Sequence, residues 1–113
     1  MQHFFGATLG NTGYVRDREA EFTKGAISRH ELLKELEAAK AGVNAGFANL
    51  TEAKLSQTFP TKFTDTEFST QLTLLQFLSH LAYHLGQIDY HRHVITGDST
   101  SANAVSALEL VKK

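Results

Sequence analysis

Apolar residues recur at Leu32, Leu36, Ala39, Val43, Gly46 and Leu50, in steps that alternate four and three. Leu33 and Phe47 widen this stripe, while Glu and Lys fill the opposite side. The spacing predicts an amphipathic helix of about 22 residues that packs along one seam. Its start is marked by Ser28-Arg29-His30-Glu31, a capping box in which Ser28 accepts from the third amide and Glu31 reaches back. A second long segment runs from Thr66 or Ser69 to Thr96 and is closed by Gly97. At 1.5 Å per residue it would be a helix of about 28 residues, roughly 42 Å long.

Shorter elements surround these two. Gln2 to Leu9 reads as the last turns of a helix, stopped by GNTG at Gly10 to Gly13. The charged stretch YVRDREAEFTKG has no apolar period and reads as a loop with one helical turn. Thr51 to Asp65 reads as a connector holding Pro60, with a short turn at Thr51 to Leu55. The tail DSTSANAVSALELVKK starts small and polar, then could add a short helix. Strand-like alternation is weak and Pro60 is the single proline, so the expected fold is all-α. With 113 residues, a single domain spanning 1–113 is expected.

Composition narrows the function classes. Net charge is −1 with histidines neutral, and Lys and Arg are scattered, so no nucleic-acid footprint is visible. The absence of cysteine removes disulfides, thiolate metal sites and a cysteine nucleophile, and fits a reducing compartment. No apolar run approaches the roughly 20 residues of a membrane span. The start MQHFFGATLG lacks the basic and apolar regions of a signal peptide, so a cytoplasmic protein is expected. No phosphate loop, serine elbow or paired-carboxylate motif is present.

The histidines are where chemistry enters. Four of the six lie between His80 and His93, in HLAYHLGQIDYHRH. With His80 at zero and about 100° per residue, His84 lies near +40°, Gln87 near −20° and His91 near +20°. Thr73 and Gln76 continue this polar stripe. Phe77, Ile88 and Ile95 border it on one side, and Leu72, Tyr83 and Tyr90 on the other. A polar stripe inside an apolar band predicts histidines that face a bundle interior, where an imidazole needs a partner. His80 and His84, at i and i+4, can bind one ion together. They can equally be core histidines satisfied by hydrogen bonds. His91 can support the pair, and His93 points away toward the surface.

The segment HLAYHLGQIDYHRHVITG, with GNTGYVRDREAEF upstream, resembles the DinB-like superfamily of DinB and YfiT-type four-helix bundles. His80, His84, Gly86, Gln87 and Ile88 match that family's H-x-x-x-H-x-G-Q-I segment, and Ser28 to Leu50 matches its third helix. The resemblance implies an up-down-down-up four-helix bundle holding one divalent ion, zinc or nickel, on three histidines. Two of these correspond to His80 and His84. The third belongs to the second helix, upstream of the segment matching GNTGY, so the chain is expected to lack the first helix and most of the second. His3 lies about 10 Å past that position, two helical turns on.

The resemblance also implies a metal-dependent thiol S-transferase, isomerase or hydrolase, taking a small-molecule thiol and an electrophilic substrate. A non-catalytic binding or oligomerisation protein without a functional metal site is the alternative. Two long helices with a short stub leave apolar faces uncovered, so a homodimer that rebuilds the four-helix bundle is expected.

Overall fold

The computed structural model describes residues 1–62 and 65–102. Among these residues every regular element is helical, and the fold is all-α. A π-helix at Gln2–Leu9 is followed by α1 (Arg18–Thr23), α2 (Arg29–Ala48), α3 (Glu52–Leu55) and α4 (Thr70–Thr96). The chain divides into two compact units, Met1–Thr70 and a second that starts at Gln71.

In the first unit the π-helix packs on α2. The approach is close because the contact is made of glycines. A β-carbon on Gly42 would lie 3.3 Å from the Gly6 Cα, and one on Gly46 would lie 2.9 Å from the Phe5 carbonyl oxygen. Phe5 is buried there, its ring 5.5 Å from that of Phe47. Polar contacts tie both ends of the pair. The Gln2 Nε2 donates to Glu35 Oε2 at 2.9 Å, and the Asn49 Nδ2 donates to the Leu9 carbonyl at 3.2 Å.

The expected helical turns at Gln2–Leu9 are present, but in the wider π winding. Gly10 N donates to the Phe5 carbonyl at 2.8 Å, a five-residue step. The turn after it uses left-handed backbone at Asn11 (φ 51°) and Gly13 (φ 72°), conformations open to Asn and Gly. The stretch read as a loop with one turn holds α1. Asp17 caps it by accepting from Ala20 N at 3.0 Å, and Arg16 grips Glu21 through two hydrogen bonds.

The capping box of α2 is complete. Ser28 Oγ accepts from Glu31 N at 3.2 Å, while Glu31 Oε2 accepts from Ser28 N at 2.9 Å. The seam predicted along α2 is only half used, however. Gly42 and Gly46 are buried, whereas Leu32 and Leu36 are exposed. The reason is length: the π-helix has 8 residues and α2 has 20, so the first turns of α2 outrun their neighbour.

After α3, residues 57–59 and 68–70 lie side by side. Phe59 N donates to the Phe68 carbonyl at 2.9 Å and Thr70 N to the Gln57 carbonyl at 2.7 Å. Phe59 and Thr70 are both buried.

The second unit is built on α4, whose 27 residues match the long helix expected there. Gly97, at φ 69°, ends it, with its N–H donating to the His93 carbonyl at 3.0 Å. Residues 98–100 then fold back on the last turns. Arg92 reaches Asp89, Asp98 and the Thr100 carbonyl together. The short helix expected in the tail falls in residues 103–113, outside the described residues. No described helix is long and apolar enough to cross a membrane.

Candidate metal centre

The two histidines at i and i+4 meet. His80 Nε2 and His84 Nε2 are 3.1 Å apart, and the rings stand edge to face with centroids at 4.4 Å. The helix creates this approach, because four residues nearly complete one turn and stack the side chains.

A short relay continues from His84. Its Nδ1 lies 2.9 Å from Gln87 Oε1, and the Gln87 Nε2 donates to the Tyr83 hydroxyl at 3.0 Å. The Gln87 amide and the Tyr83 hydroxyl each donate and accept, so this chain can run in either direction. In neutral rings one of the two histidine Nε2 atoms donates to the other across the 3.1 Å gap.

His80, His84 and His91 are all exposed. Apolar residues on both borders of the histidine stripe are exposed as well. Leu78, Tyr83, Ile88, Tyr90 and Ile95 are each more than 60% exposed. His93, expected at the surface, is partly covered instead. Its Nε2 donates to the Thr100 carbonyl at 3.1 Å and lies 3.6 Å from Asp89 Oδ1. That group ties the tail to α4 and does not extend the histidine pair.

Tyr83 was legible only as an apolar border. Its hydroxyl belongs to the site, and the signal was its own i, i+4 spacing to Gln87, the same spacing that joins His80 to His84.

Among the described residues, no group of three His, Cys, Asp or Glu stands close enough to hold an ion. His3, the residue nearest in sequence to the position expected of a third ligand, is partly covered, and its Nδ1 is buried without a hydrogen-bond partner. A separate cavity of about 180 Å³ in the first unit is lined by Thr8, Asn11, Asn49, Lys54 and Gln57 among others. Lys54 is its single charged residue, and its ammonium already donates to the Asn49 carbonyl at 2.7 Å.

A family model described as "Protein of unknown function (DUF1572)" matches residues 5–107. No curated protein and no solved structure matches the chain.

Proposed function

The chain belongs to the DUF1572 family of proteins of unknown function, and from that premise we propose that it is a DinB-like, divalent-metal-binding helical protein. His80 and His84 are the two ligands this chain contributes, and zinc or nickel is the ion. The single observation that supports this reading most is the 3.1 Å separation of the two Nε2 atoms. Two imidazole nitrogens each about 2.0–2.1 Å from one zinc ion, at the tetrahedral angle, lie about 3.3–3.4 Å apart. The pair is within a few tenths of an ångström of that separation, and moving the proton shared between the two Nε2 atoms to the far nitrogen of its ring frees both lone pairs. Such an ion supplies Lewis acidity and makes a water or thiol that it binds more acidic, which is the basis of the thiol transferase, isomerase or hydrolase reading.

The remaining ligands come from outside the described residues of one chain. A second copy is the source most in keeping with the surface of α4. Helices with apolar residues exposed on several sides need neighbours on more than one flank. A homodimer that completes a four-helix bundle covers them.

The same exposed apolar side chains favour a second reading, an oligomerisation protein without a metal. Metal analysis of untagged protein separates the two. Zinc or nickel bound at about one ion per chain, or about one per two chains where two copies share the site, supports the first reading; protein that stays metal-free after incubation with either ion supports the second.

A further inference from the structure

We propose that the cavity of about 180 Å³ in the first unit binds a small uncharged polyol, a role independent of the histidine pair on α4. The cavity lies where two helices end together. Gln2 meets Glu35 and Leu9 meets Asn49, so the π-helix and α2 run in the same direction and share their C-terminal end. Thr8 and Leu9 line the cavity from one helix, Gly46 and Asn49 from the end of the other. A helix C-terminus carries about half a negative charge, so the two together supply about one. Lys54 is the single charged residue of the lining and offsets that charge, its ammonium donating to the Asn49 carbonyl at 2.7 Å. Neither a cation nor an anion finds an unbalanced charge here, and the occupant is a neutral molecule.

Hydrogen-bonding capacity narrows the class. Among the described residues the carboxamides of Asn11 and Gln57, both in the lining, have no protein hydrogen-bond partner. The Asn49 carboxamide uses one N–H on the Leu9 carbonyl, and Lys54 uses one of its three on Asn49. What remains is a mixture of donors and acceptors. A hydroxyl also donates and accepts, so it pairs with either end of a carboxamide, whichever way the amide is turned. Leu9, Leu50 and Pro60 add apolar surface for the carbon skeleton of such a molecule. Size excludes larger ligands. Sites for drug-sized molecules run to about 300–1,000 Å³, whereas the space here holds about six waters. A polyol between glycerol and a pentitol in size matches that space.

The test is a proton–nitrogen NMR titration of the full chain with glycerol, erythritol and xylitol, with acetate and methylammonium as charged controls. At least one polyol should give saturable shifts at Asn11, Asn49, Lys54 and Gln57 in the millimolar range, and the charged controls should give none. Two variants check the assignment while keeping the backbone as it is. Asn11→Gly retains the left-handed conformation (φ 51°), and Gln57→Ala retains the carbonyl that accepts from Thr70. Each should weaken the polyol about 3–10-fold, the loss expected for one hydrogen bond. Shifts that rise linearly without saturating overturn the proposal, as does saturation by acetate or methylammonium in place of a polyol. Affinity within twofold of wild type in both variants overturns it too. The double variant His80→Ala with His84→Ala should bind the polyol as wild type does, so failure of the metal reading leaves this test intact; loss of polyol binding there would contradict an independent site.

Discussion

Phe5 and Gly46 are in contact through backbone: a β-carbon built on Gly46 would lie 2.9 Å from the Phe5 carbonyl oxygen and 3.2 Å from the Phe5 Cβ. The π-helix and α2 thus approach closely enough that a β-carbon at Gly46 would not fit, and the glycine is what admits Phe5 to its buried position.

The contact sets opposite signs for two glycine-to-alanine changes. Gly46→Ala gains helix propensity but must push backbone aside, and overpacking costs about 1–3 kcal/mol. Net destabilisation is expected. Gly86→Ala on α4 meets nothing within 4 Å. It should stabilise by about 0.5–1 kcal/mol through propensity alone. Urea denaturation of both variants checks the pair; equal effects would contradict the close packing at Gly46.

The capping box gives a prediction in pH. The Ser28 backbone N–H, and secondly its hydroxyl, hold the Glu31 carboxyl below its ordinary range. A carboxyl lowered in the folded state stabilises the fold above its unfolded value, and that contribution is lost as pH falls through the folded value. The melting temperature of Glu31→Gln should therefore lie below wild type at neutral pH and converge with it in acid, below the ordinary carboxylate range. A constant difference across that window would show that the charge is not involved. Ser28→Ala should lower stability by about 0.5–2 kcal/mol through loss of the cap, measured by the same melts.

What was legible in the sequence was local. The Ser28–Glu31 box, the turn at Asn11 and Gly13 and the stop at Gly97 each depend on residues a few positions apart, and all are present. The i, i+4 meeting of His80 and His84 belongs to the same class. Features set by contacts between elements were not legible. The π winding of Gln2–Leu9 accompanies its packing on the glycines of α2, and nothing in the segment itself demands it. The exposure of Leu32 and Leu36 reflects how far a short neighbour reaches along a longer helix. On α4 the polar stripe of Thr73, Gln76, His80, His84, Gln87 and His91 is bordered by apolar residues on both sides, so periodicity alone does not say which side a neighbour covers.

Self-association follows from those exposed side chains. Exposed apolar surface is worth about 25 cal/mol per Å² when covered, and Leu72, Leu75, Leu78 and Tyr90 on α4 are each more than half exposed. Sedimentation equilibrium at micromolar concentration should give a dimer, and Leu75→Glu with Leu78→Glu should shift it toward monomer. A well-folded wild-type monomer would refute the dimer.

The central claim is that His80 and His84 together hold one divalent ion, and a zinc titration of untagged protein tests it most directly. Wild type should bind zinc, His80→Ala and His84→Ala should each lose most of the affinity, and the double variant should bind none while keeping its helical circular dichroism. Stoichiometric zinc or nickel retained by the double variant would contradict the assignment.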